Sequence, residues 1–164
     1  MKTTFILMII ALFSTSAFGR EFTQTGVAME PTLKAGEKVE IGFFSLFSYE
    51  PERWDVVAVK NPHEFNLMVF RIVGLPNENI RLEKDGIYIN NVKVELPSRL
   101  AQAGIYYWPA SAVKRNKKSG NDVYQTGEEE YFLLGDNTLK ANDSRFELGM
   151  IPRASIVNKV SGNL

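Results

Sequence analysis

Few residues in this chain could do chemistry, and their types narrow what that chemistry could be. There is no Cys and a single His, His63. Without Cys there is no disulfide, no thiolate nucleophile and no Cys-type zinc site. A lone His excludes a multi-His metal centre and leaves at most one member of a Ser-His-Asp triad. Proton transfer would then fall to hydroxyls, carboxylates, Lys, Arg or backbone groups. The densest run of such residues is Gly135-Asp136-Asn137, followed by Ala141, Asp143, Ser144 and Arg145. Asp143 can form a buried ion pair with either Arg145 or Arg71, holding this loop in place. Asp136 and Asn137 read as turn residues that hydrogen-bond locally after the strand before them. A second segment, Gly26-Val27-Ala28-Met29-Glu30-Pro31-Thr32-Leu33, has Thr32 as its one hydroxyl. His63 lies in a polar stretch, Asn61-Pro62-His63-Glu64, and reads as a solvated loop residue, with a replacement general base as the competing reading.

The elements that must position these residues are mostly strands. The chain has 164 residues, 45% hydrophobic and 23% charged, the composition of one ordinary globular domain. Nineteen Lys+Arg balance nineteen Asp+Glu, so the basic surplus that nucleic-acid phosphates require is missing. Residues 1–19 carry Lys2, then an apolar run from Phe5 to Phe13, then small residues ending Ala17-Phe18-Gly19. That order is an export signal or an uncleaved membrane anchor, and it places residues 20–164 outside the cytoplasm. Strands are predicted at Lys38–Phe44, Trp54–Lys60, Leu67–Leu75, Ile80–Lys84, Ile87–Asn90, Val92–Leu96, Tyr131–Leu134 and Ile156–Val160. Asp85-Gly86 predicts a type I′ hairpin turn, and Asn90-Asn91 a second tight turn. Residues 97–127 are less regular and include the basic run Lys114-Arg115-Asn116-Lys117-Lys118. That run reads as a solvated loop, or else as a partner or lipid-headgroup patch. Short strands with this Gly/Pro punctuation predict a mostly β fold, barrel or sandwich.

Four patterns carry a family resemblance. They are Gly26–Leu33; Trp54-Asp-Val-Val-Ala-Val-Lys60 with Pro62; Phe70-Arg71-Ile-Val-Gly74-Leu-Pro76 followed by Asp85–Asn90; and Gly135-Asp136-Asn137 with Ala141, Asp143, Ser144 and Arg145. In this order and spacing they resemble the bacterial type I signal peptidases (leader peptidases), over nearly all of residues 20–164. That family consists of membrane-anchored serine endopeptidases with a Ser-Lys dyad. The resemblance implies a signal-peptidase-like β fold with a short β insertion at roughly 82–127, preceded by the hydrophobic signal or anchor helix of residues 1–19. It also implies no cofactor and no metal. It explains hydrolysis without His: a desolvated Lys can deprotonate Ser. It further implies that apolar residues near Phe43, Phe44, Leu46 and Phe47 dip into the membrane surface, with ordinary core packing as the competing reading.

The chain departs from the family where the chemistry is done. Ala28 stands at the nucleophile position, Phe70 at the general-base position and Ala141 at the position of a supporting Ser. Loss of the nucleophilic Ser alone costs about 10⁶ in turnover in a well-studied serine protease. The remaining motif residues, Met29, Pro31, Thr32, Arg71, Gly135, Asp136, Asn137, Asp143, Ser144 and Arg145, are expected to support a peptide groove. The leading expectation is a non-catalytic relative at the extracytoplasmic face of the cytoplasmic membrane, or secreted if its signal is removed. It would bind exported or surface-assembly polypeptides, contact the membrane surface and leave nucleic acid alone. The alternative is an active signal peptidase I-type endopeptidase with a replacement nucleophile, for which Thr32 and Ser144 are the candidates.

Overall fold

Apolar runs bounded by Pro and Gly become strands throughout the chain. The computed structural model describes residues 19–42, 49–61, 64, 66–113 and 122–161. In chain order the strands are β1 (Arg20–Thr23), β2 (Lys38–Ile41), β3 (Val56–Lys60), β4 (Leu67–Gly74), β5 (Asn79–Glu83), β6 (Gly86–Ile89), β7 (Val92–Val94), β8 (Val123–Gln125), β9 (Glu130–Leu134), β10 (Ile151–Pro152) and β11 (Ile156–Ser161). One short helix, α1 (Ser98–Gln102), lies between β7 and β8. A seven-stranded sheet runs β1-β2-β11-β3-β4-β9-β10, and a four-stranded sheet runs β7-β6-β5-β8. The strand pairs are antiparallel.

β3 explains why its sequence is a continuous apolar run rather than an alternating one. Val57 and Val59 face a core with Phe70, Ile72, Tyr131, Leu133, Ile151 and Ile156. Val56 and Ala58 face a second core with Met29, Leu33, Val39, Ile41, Val69 and Val160. A strand covered on both faces has no polar side to show. A third core lies under the small sheet, where Ile80, Leu82, Ile87 and Ile89 pack on Val73, Phe132, Leu134 and Tyr107.

Several details depart from the sequence reading. The β5–β6 turn residues are Lys84 and Asp85, with Glu83 paired to Gly86. Positive φ falls on Gly86 alone in this hairpin, so it is not type I′. The type I′ turn forms at Asn90-Asn91, where φ is 49° and 69° and Ile89 pairs with Val92. Asn tolerates this left-handed backbone, which most residues avoid. Trp54 also sits at φ 75°, so β3 starts at Val56 rather than at Trp54. Strands β1, β8 and β10 and helix α1 add order that hydrophobic periodicity does not announce. They are short, and β1 and β8 carry only exposed or half-buried side chains.

The hydrophobic segment of residues 1–18, the apolar residues Phe43, Phe44, Leu46 and Phe47, His63, and the basic run Lys114–Lys118 lie outside the described residues. Among the described residues, no helix is long and apolar enough to cross a membrane.

Candidate active site

The segment that leaves β1 is held as a turn by its own buried residues. Met29 and Leu33 are fully buried, and the Leu33 N–H donates to the Met29 carbonyl at 2.9 Å. This anchoring leaves Ala28 half-buried at the lip of the core that holds Phe70. The loop after β9 grips the same segment from the other side. Asn137 donates its backbone N–H to the Ala28 carbonyl at 2.9 Å and its side-chain Nδ2 to the Val27 carbonyl at 3.0 Å.

Gly135 is where these pieces close. A Cβ built there would lie 2.4 Å from the Ala141 Cβ and 2.5 Å from the Ala28 carbonyl oxygen. Only a residue without a side chain lets the Ala28 backbone and the buried Ala141 approach so closely. Ala28 therefore packs on the apolar core to which Phe70 belongs, and its carbonyl and the Ala141 methyl crowd the same point at Gly135. Ala28 and Ala141 thus flank Gly135, Phe70 lies in the core beneath Ala28, and the three present a methyl, a methyl and a benzyl ring.

β4 splits its neighbours between two environments. Successive strand residues point to opposite faces, so Phe70 enters the apolar core while Arg71 points the other way. Arg71 is fully buried and grips Asp136, with Nε to Oδ1 at 2.9 Å and Nη2 to Oδ2 at 2.6 Å. Its Nη1 donates to the Trp54 carbonyl at 2.8 Å, which holds the left-handed Trp54 in place. Thr32 donates its hydroxyl to Asp136, and the Tyr107 hydroxyl donates to Asp136 Oδ1 at 2.5 Å. Burial tends to lower the Arg71 pKa, but the hydrogen bonds and charge of Asp136 outweigh it and hold the guanidinium above its usual range. Burial, and then the Asp136 charge, push the Tyr107 hydroxyl well above its ordinary value.

The second buried pair is Asp143 with Arg145, with Nε to Oδ1 and Nη2 to Oδ2 both at 2.8 Å. Asp143 also accepts the Gly135 N–H at 3.0 Å, so it sets the backbone at the close-approach point. Arg145 completes its donor set on the Thr138 hydroxyl and carbonyl and on the Trp108 carbonyl. Of the two partners open to Asp143 in the sequence, Arg145 is the one it takes. Arg71 takes Asp136 instead, so Asp136 is the buried counter-ion of β4 rather than a turn-capping residue. Ser144 accepts the Leu133 N–H at 3.0 Å and is 3% exposed. Pro31 is exposed and follows a cis peptide bond from Glu30. Tyr107 and Thr138 are the site residues that sequence reading passed over. Tyr107 lies 29 residues from Asp136 in the irregular stretch, and no spacing there signals it.

Backbone donors remain open beside Ala28. Among the described residues, the N–H groups of Thr25, Gly26, Val27 and Ala28 have no protein acceptor. Thr25 to Val27 are exposed and Ala28 half-buried. Also among the described residues, no group of three or more His, Asp or Glu could hold a metal ion.

Comparison with known proteins bears on the whole of this arrangement. Residues 1–163 match the family described as "Signal peptidase, peptidase S26". A signal peptidase I from Rickettsia massiliae (strain Mtu5) is 34% identical over 137 residues, covering 70% of this chain and 52% of that protein. A signal peptidase I from Rickettsia felis is also 34% identical with the same coverage. The chain thus spans about half the length of the curated relatives it matches. A crystal structure of a signal peptidase I from Enterococcus faecalis V583 aligns with a TM-score of 0.53 at 27% identity, over 69% of this chain and 98% of that one.

Proposed function

This chain belongs to the type I signal peptidase family, and from that premise we propose that it is a non-catalytic member that holds exported or surface-assembly polypeptides at the extracytoplasmic face of the cytoplasmic membrane. The observation that carries this reading is the apolar surroundings of Ala28, which packs on the core that holds Phe70 and shares the Gly135 approach with Ala141, with no hydroxyl or amine among the three. A methyl cannot attack a carbonyl and a phenyl ring cannot take a proton. The apolar trio is also self-consistent. A buried Lys beside two methyl groups would be an unpaired charge, and unpaired buried charge is costly.

The backbone that would bind an extended chain is kept while the chemistry is gone. Among the described residues β1 ends the strand order of the seven-stranded sheet, and Thr25 to Ala28, whose N–H groups have no acceptor among those residues, bend from it into the turn over residues 28–32. Strand addition along such an edge binds peptides through main-chain hydrogen bonds. The hydrophobic segment of residues 1–19 supports placement at the membrane.

The candidate replacement groups are committed elsewhere. The Thr32 hydroxyl donates to Asp136, and Ser144 is buried against Leu133. Lys159 lies in the cross-strand row Lys159–Val57–Phe70, two strands from Phe70 or about 10 Å, and its ammonium is paired with Asp55. These commitments weigh against an active enzyme with a substitute dyad.

The test uses a preprotein and its Ala-x-Ala-containing peptide. The unaltered chain is expected to bind the peptide and leave the preprotein intact. The triple variant Ala28→Ser, Phe70→Lys, Ala141→Ser is expected to gain cleavage, provided circular dichroism shows it folded. Cleavage by the unaltered chain, lost on Thr32→Val or Ser144→Ala, would establish the opposite reading.

A further inference from the structure

Tyr107 belongs to two parts of the molecule at once. Its ring lies in the core under the small sheet, with Leu82, Ile87, Ile89 and Phe132. Its hydroxyl reaches out of that core and donates to Asp136 Oδ1 at 2.5 Å. The residues on either side fix the same segment in both directions. The Tyr106 hydroxyl donates to the carbonyl of Lys84, in the turn between β5 and β6. Trp108 donates its N–H to the Thr138 hydroxyl at 3.0 Å, and its carbonyl accepts from Arg145 Nη1 at 2.7 Å. Residues 106–108 therefore tie the small sheet to the loop after β9.

The two oxygens of the Asp136 carboxylate have different duties. Oδ1 accepts from Arg71 Nε and from Tyr107, while Oδ2 accepts from Arg71 Nη2 and from Thr32. Arg71 Nη2 also reaches the Thr32 hydroxyl, at the longer distance of 3.4 Å. The Arg71 fork and the phenol together fix the plane of the carboxylate, which aims Oδ2 at Thr32. Thr32 is held in one unit with Ala28 by two overlapping turns. The Glu30 N–H donates to the Val27 carbonyl at 3.2 Å, and the Leu33 N–H to the Met29 carbonyl at 2.9 Å. Arg71 alone neutralises Asp136, and both of their side chains are fully buried. What the phenol adds to the pair is direction rather than charge balance.

We propose that Tyr107 is a positioning residue through which the small sheet, by way of Asp136 and Thr32, sets the Ala28 turn for peptide binding. The proposal rests on the peptide-holding reading above and names the residue outside the Ala28 segment that makes this segment fit to bind. Removing an uncharged hydroxyl leaves the buried ion pair intact, so its loss moves the turn more than it unfolds the chain.

The experiment measures binding of the Ala-x-Ala peptide to the full chain in neutral detergent. Tyr107→Phe deletes the hydroxyl and keeps the ring. It is expected to weaken binding about fivefold to tenfold and to shift the amide resonances of Ala28 and Asn137. Thr32→Val should act in the same way. The double variant should bind no more weakly than the worse single variant, because both act through one carboxylate. Asn91→Val, which strains the β6–β7 turn and leaves the Tyr107 hydroxyl in place, should melt earlier at unchanged peptide affinity. Wild-type affinity in Tyr107→Phe would overturn this inference while leaving the peptide-holding reading intact. So would additive losses in the double variant, or a loss in Asn91→Val equal to that in Tyr107→Phe, since affinity would then only follow stability. No peptide binding by the unaltered chain would overturn both readings. Where circular dichroism shows Tyr107→Phe unfolded, Thr32→Val decides: weakened binding with shifted Ala28 and Asn137 resonances upholds the inference, and wild-type affinity overturns it.

Discussion

Asp136 balances the buried charge beside β4. Its carboxylate accepts from Arg71 through two hydrogen bonds, from Thr32 and from Tyr107, and both ion-pair side chains are 0% exposed. Changing Asp136→Asn keeps the shape and removes the charge, so Arg71 would be left as an uncompensated buried cation. Breaking a buried pair in this way costs about 3–5 kcal/mol, and urea denaturation should show a midpoint lowered to match. Replacing both partners, Arg71→Met with Asp136→Leu, should cost markedly less, because no orphan charge remains. Equal losses in the two variants would mean that the pair does not act through its charge. This residue-scale arrangement was half legible in the sequence. Asp143 and Arg145 are two positions apart, and their pairing could be anticipated. Arg71 and Asp136 are 65 apart, and nothing local told Asp136 from an ordinary turn residue.

The elements were legible where side chains alternate or run apolar, and less so where a turn decides the register. Both Asp85-Gly86 and Asn90-Asn91 carry turn chemistry, yet only the second adopts two successive left-handed residues. In the first, Glu83 pairs with Gly86, so the glycine opens β6 and supplies its positive φ one position after the turn. The turn at Asn90-Asn91 can be tested directly. Asn91→Val puts a β-branched residue at φ 69° and should cost about 1–2 kcal/mol. Asn91→Gly should be neutral or slightly stabilising. Thermal melts should separate them by about 2–4 °C for each kcal/mol in a chain of this size. Indistinguishable melting temperatures would show that this hairpin adds nothing to the stability of the fold.

At the scale of the whole molecule, buried phenols tie stability to alkaline pH. Burial first, and then a neighbouring carboxylate, raise the pKa of Tyr107 next to Asp136, of Tyr49 next to Asp55 and of Tyr124 near Asp122. Each folded-state value stands above the unfolded value of about 10. The unfolded chain therefore releases phenolic protons before the folded chain does, and stability falls as pH rises past that point. Urea midpoints should be steady through this part of the scale up to about pH 10 and should drop above it. A midpoint that holds through alkaline pH would show that these hydroxyls are not buried as described.

The sequence by itself determined the mostly β character of the chain, its family and the absence of a Ser, a Lys and a supporting Ser at positions 28, 70 and 141. Each of these depends on residue identity and short spacing, which a linear reading keeps. Only the tertiary structure decided that Ala28 packs on the core of Phe70 and meets Ala141 at Gly135, and that Arg71 pairs with Asp136. These are contacts between segments distant in the chain. They are set by sheet order, by strand parity and by the space that Gly135 leaves open, and none of the three has a local signature.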